Sequence, residues 1–144
     1  MGLLACKSRR YDSAVIEFHL DPQSGVATYL QIVRQVKDAL RLGTLDVGDQ
    51  LPTVREVVAH LAVNPNTVAK AYRDLEREGL VIAQQGRGTF IASTLAHASL
   101  QHHAELRQEL ERWLESAQRA GLDEESIRAI ISTTLRESLA RRVA

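Results

Sequence analysis

The 144 residues carry 18 Lys+Arg against 18 Asp+Glu, with 44% hydrophobic and only 4% aromatic residues. That composition excludes a highly charged disordered chain and one that holds nucleic acid by bulk positive charge; the core must rest on Leu, Val, Ile and Ala. One cysteine, Cys6, excludes an intramolecular disulfide, and no apolar run approaches the roughly 18 residues needed to span a membrane, so a reducing cytoplasm is the expected location.

Residues 1–14 read as a disordered extension. The start Met1-Gly2-Leu3-Leu4-Ala5-Cys6 resembles a lipoprotein processing site only superficially: no charged segment precedes it, and its apolar stretch is too short for a signal peptide. Val15 to Leu20 alternates like a short strand, and Asp21-Pro22-Gln23-Ser24-Gly25 is turn chemistry. Ala27 to Leu42 predicts an amphipathic helix with Tyr29, Ile32, Val33, Val36 and Leu40 on one face. Thr28 or Ser24 is the expected cap and Gly43 the stop.

After a loop with a short extended piece at Gln50-Leu51, Thr53-Val54-Arg55-Glu56 has the form of a capping box opening a second helix, whose buried stripe is Val54, Val57, Val58 and Leu61. Ala62-Val63-Asn64 predicts a tight turn. Asn64 is a good N-cap, and Pro65 suits the first helical position of a third helix running to about Glu78. Val68, Ala71, Tyr72 and Leu75 share its inner face; Asn66, Lys70, Arg73 and Arg77 share the other. Val81–Gln84 and Thr89–Ala92 predict a hairpin around Gln85-Gly86-Arg87-Gly88.

The remainder predicts two helices. One runs from about Leu95 to Ala120 with a stripe of Leu106, Leu110, Trp113, Leu114 and Ala117. The other is capped by Asp123, with Leu122 and Ile127 at staple positions, and carries Ile127, Ile130, Ile131, Leu135 and Leu139. The fold class is therefore α+β: a winged helix-turn-helix over residues 15–92, then a two-helix, all-α dimerisation tail over residues 93–144. Two striped helices cannot bury their stripes alone, so Leu106, Leu110, Trp113, Leu114, Ile127, Ile130, Ile131 and Leu135 are expected to pack against a second copy.

The plan of helix, capped helix, short turn, capped helix and hairpin points to double-stranded DNA. A helix fits the major groove with its first turns at base edges; here those turns present Asn64, Asn66, Thr67 and Lys70, followed by Arg73. Thr53 and Arg55 lie at a helix start that can donate to a phosphate. Gly86 and Gly88 allow close approach of the wing, and Arg87 can enter the minor groove. Residues 26–92 hold 8 Lys+Arg against 7 Asp+Glu, so placement of charge, not its amount, must create the positive surface.

Three ordered stretches, Asp49–Glu56, Val63–Gly79 and Gly86–Phe90, closely resemble the DNA-binding domain of GntR-family bacterial regulators over roughly residues 15–92. The resemblance implies DNA contacts by Arg55, by the polar pair Asn66 and Thr67, and by Gln85 and Gly86 at the wing tip. Ala69 departs from a family contact position beside Lys70, Thr53 replaces a commoner serine but keeps the capping hydroxyl, and Ala27 stands where proline is frequent. The short tail resembles the YtrA-like subfamily. This implies a homodimeric repressor of its own or an ABC-transporter operon, acting on a palindromic or pseudo-palindromic operator.

Blander readings exist. A polar helix face such as Asn66, Lys70, Arg73 and Arg77 is usually just solvated. His97, His102 and His103 lack an i, i+4 pair with a carboxylate partner and read as exposed linker histidines, so neither a metal nor a cofactor is expected. Trp113 reads as dimer core, with a small-molecule effector at the interface left open. No Ser/His/Asp or Cys/His set suggests an enzyme. The alternatives are a winged-helix protein-interaction module and a ligand- or metal-responsive switch at the dimer interface.

Overall fold

Ile32, Val33, Val36 and Leu40 turn inward along the first helix, α1 (Thr28–Arg41), and the rest of the first unit assembles on that stripe. The computed structural model describes residues 16–95 and 100–143; the expected extension over 1–14, Cys6, Val15 and His97 lie outside the described residues. The chain divides into two compact units, Met1–His97 and Ala98–Ala144. The division falls past Ala92 because Ser93 Oγ still donates to the Gly79 carbonyl (2.8 Å) and Leu95 packs on the first unit's core. Leu95 is irregular rather than helical.

The residue before α1 is Ala27, which offers no side-chain cap, so neither Thr28 nor Ser24 fills the expected role. Thr28 is already the first helical residue. The Ser24 hydroxyl is occupied within the 21–26 turn: it donates to the Asp21 carbonyl (2.9 Å) and accepts from the Val26 amide (3.2 Å) and Gln31 Nε2 (3.0 Å). Residues 16–20 are extended, with Phe18 buried and Glu17 and His19 exposed, but they form no strand. A ladder needs a partner's backbone. His19 instead pairs both backbone groups with one side chain, donating to Gln35 Oε1 (2.9 Å) and accepting from Gln35 Nε2 (2.6 Å) of α1.

The second helix, α2 (Val54–Leu61), opens on Thr53 with both halves of the capping box formed. It ends on Ala62 in the left-handed conformation, φ 54°. Of its apolar stripe Val57 is buried, while Val54, Val58 and Leu61 are half-buried against the core. The third helix, α3 (Pro65–Arg77), packs on α1 and α2 through Val68, Ala71, Tyr72 and Leu75. Burial of such a side chain favours the fold by about 1.5–3 kcal/mol. Gly79, at φ 76°, reverses the chain after α3.

Two antiparallel strands follow, β1 (Val81–Gln84) and β2 (Gly88–Ile91), in the register Val81↔Ile91 to Gln84↔Gly88. The return strand thus starts one residue earlier than the sequence suggests and stops before Ala92. The stretch before α2 lies along the free edge of β2. Gly48 N donates to Ile91 O (2.9 Å), Ile91 N to Asp49 O (2.8 Å), and Leu51 N to Thr89 O (2.9 Å). This covers the hairpin edge and ties the approach to α2 to the wing.

The second unit holds α4 (Leu100–Arg119) and α5 (Glu124–Val143). Asp123 caps α5, its Oδ1 accepting from the Ser126 amide (2.8 Å). Hydrogen bonds from Ser126 hold this carboxyl below its ordinary value. The two helices meet at their junction, where Ala117 and Ile127 are buried and Leu122 is half-buried, and touch little beyond it.

Candidate nucleic-acid interface

Asn64 is the N-cap of α3: its Oδ1 accepts from the Asn66 amide at 2.8 Å. This use of the side chain leaves its amide nitrogen, and one lone pair of Oδ1, for a ligand. Asn66, Lys70 and Arg73 are exposed along the helix and Thr67 is half-buried, so the first turns of α3 face solvent while its Val68–Leu75 side faces the core. Lys70 is not extended freely. Its Nζ sits 3.8 Å from the centre of the Tyr29 ring of α1, a cation–π contact that fixes where the charge is held.

At α2, Thr53 Oγ1 accepts from the Glu56 amide (3.2 Å) and Glu56 Oε2 accepts from the Thr53 amide (2.7 Å). Two end amides are thereby used, leaving those of Val54 and Arg55 for an anion. Arg55 is exposed on the next position. Thr53 also lines a shallow, open groove with Gln85, Gly86, Arg87 and Gly88, so the α2 end and the wing tip adjoin one surface. Gly86 (φ 74°) and Gly88 (φ 122°) both take conformations that side chains disfavour, and the turn between them closes with Arg87 N donating to Gln84 O (3.0 Å).

Charge placement resolves the neutral composition. Pro65 to Arg73 contains no acidic residue. The acids Asp74 and Glu76 of α3 and Glu78 at its C-cap are each engaged. Asp74 pairs with Arg77 (3.5 Å), Glu78 with Lys37 of α1 (2.7 Å), and Glu76 Oε1 accepts from the Ala83 amide (3.1 Å). Arg55, Lys70, Arg73 and Arg87 are exposed on α2, α3 and the wing, with the Glu56 carboxylate exposed beside Arg55.

Three relationships escape sequence reasoning. The Tyr72 hydroxyl donates to the Pro52 carbonyl at 2.5 Å, joining α3 to the entry of α2. Burial, then the nearby Glu56 carboxylate, pushes this phenol well above its ordinary value. A tyrosine on an otherwise aliphatic face was the available signal, since a buried phenol needs a partner. The contacts of Tyr29 with Lys70, and of Gln50 Nε2 with Arg87 O (3.1 Å), leave no such trace. Among the described residues no group of three His, Cys, Asp or Glu is placed to hold a metal ion, and His97 lies outside them. No helix of the described residues is long and apolar enough to cross a membrane.

Three helices with a paired, glycine-tipped hairpin after the exposed third helix define a winged helix-turn-helix, the architecture of DNA-binding transcription regulators. Residues 28–91 match the pattern of the bacterial regulatory proteins of the gntR family. The chain is 37% identical over 112 residues to the HTH-type transcriptional repressor YtrA of Bacillus subtilis, covering 75% of this chain and 84% of that one. It is 36% identical over 111 residues to the transcriptional regulator YhcF of the same organism, covering 77% and 92%. A crystal structure of a transcriptional antiterminator from Listeria monocytogenes aligns with a TM-score of 0.54 at 33% identity, over 84% of this chain and 91% of that one. The protein belongs to the GntR family and is a DNA-binding transcription regulator of YtrA-like type. The relatives are transcription regulators, not enzymes.

Proposed function

We propose that this regulator is a cytoplasmic repressor that occupies a two-fold symmetric operator as a homodimer. Asn66 and Thr67 meet base edges in the major groove, with Asn64 at the helix entry. Arg55 reads a base from the start of α2. Lys70 and Arg73 reach guanine or phosphate, and the Thr53 end of α2 receives a phosphate. Gln85 to Gly88 follow the adjacent minor groove, with Arg87 inserted. The observation that carries this reading is the acid-free first half of α3 with its exposed Asn66 and Lys70, together with the groove shared by Thr53 and the wing. The repressor sense rests on likeness to the YtrA repressor.

The second copy is supported by the tail. Leu106, Leu110, Trp113, Ile130, Ile131 and Leu135 are all exposed on α4 and α5, too many large apolar side chains on two helices to leave in water. A symmetric partner covers them, with Leu114 and Ile127 at the margin, and sets two α3 helices one duplex turn apart, roughly 34–36 Å. Footprinting on the DNA upstream of the protein's own gene tests the assignment. Two protected half-sites about one turn apart are expected; no protection there, and no duplex enriched from a random pool, would reject it.

A further inference from the structure

The wing tip is held by few contacts. Arg87 stands between two glycines in left-handed conformations, on a hairpin of two four-residue strands. Apart from its own amide, which donates to Gln84 O (3.0 Å), it has glycine on either side and so little steric restraint on its backbone. One exposed side chain from elsewhere adds a second restraint. Gln50 Nε2 donates to the Arg87 carbonyl (3.1 Å), and Gln50 is also bridged to Phe90 on β2. The same amide lies 2.5 Å from where a Cβ on Gly88 would stand, so it lies directly over the second glycine. Gln50 itself is anchored, because the residues on both sides of it, Asp49 and Leu51, hydrogen-bond to β2.

We infer that Gln50 is a positioning residue for DNA recognition: its carboxamide clamps the wing tip and aims Arg87 at the groove shared with Thr53. This rests on the reading that Arg87 contacts DNA. Without the clamp the tip would sample many orientations, and the ordering would be lost from binding each time DNA is engaged. The clamp also couples the wing to the entry of α2, since Gln50 is three residues before Thr53. Wing and helix-turn-helix then present one preassembled surface.

The experiment is a double-mutant cycle on the full chain. The probe is a duplex enriched by the wild-type protein from a random-sequence pool, and affinity is measured across a salt series. Arg87→Ala is expected to weaken binding about tenfold and to lower the salt slope by about 1. Gln50→Ala, and the shape-keeping Gln50→Met that cannot donate, are each expected to weaken it about fivefold and to lower the slope in the same direction. Neither should weaken the Arg87→Ala protein further. Thermal unfolding should be unchanged, since Gln50 is exposed. If Arg87→Ala leaves affinity and slope untouched, the wing reading fails and the clamp with it. If Arg87→Ala weakens binding but the Gln50 variants do not, or their losses add in full to that of Arg87→Ala, the clamp is wrong while the wing reading stands.

Discussion

The hydroxyl of Tyr72 lies 2.5 Å from the carbonyl oxygen of Pro52, a hydrogen bond between the middle of α3 and the residue that precedes the cap of α2. It fixes the distance between α3 and the N-terminal end of α2. Both residues are buried, so the bond is made away from water.

Tyr72→Phe should therefore cost about 1–3 kcal/mol, because it leaves a buried carbonyl unpaired. A pH dependence follows as well. The folded phenol holds its proton more tightly than the unfolded one, whose ordinary value is 10.0. The resulting stability is fully present below that value and is lost as the pH rises above it towards the folded pKa. Urea unfolding between pH 8 and 11 should show wild type falling more steeply than Tyr72→Phe; parallel profiles would rule the effect out.

Arg55→Ala should weaken operator binding by about 1–3 kcal/mol if the guanidinium reads a base. The side chain is exposed, so the melting temperature should hold. Fluorescence anisotropy on the enriched duplex decides it, and unchanged affinity would remove Arg55 from the interface.

If α4 and α5 form the proposed dimer contact, Leu110→Asp and Ile131→Asp should each leave the protein monomeric, since a carboxylate in that contact would be buried without a partner. Light scattering reads the mass directly. A persistent dimer would mean that α4 and α5 are not the contact.

Ala62→Gly should raise stability by about 0.5–1 kcal/mol. Ala62 is exposed and sits at φ 54°, where a Cβ is penalised and glycine is not. Chemical denaturation measures the gain; a loss would mean that the turn tolerates alanine without strain.

Sequence alone determined most features that rest on residues within a turn or two of each other, the cap of α1 being an exception. The 3.6-residue stripes of α1 and α3, the Thr53–Glu56 box, the Asn64-Pro65 start, the Asp123 cap and the glycine-tipped hairpin are all of this kind, because periodicity and capping act over three or four positions. Tertiary structure alone decided what crosses longer stretches: Tyr72 to Pro52 over 20 residues, Gln50 to Arg87 over 37, Lys37 to Glu78 over 41. It also decided that residues 16–20, which alternate like a strand, have a helix's glutamine for a partner rather than a neighbouring strand. Side-chain periodicity records which face is apolar. It carries no information about which distant backbone will be there to pair, since that depends on how the packed helices close around the core.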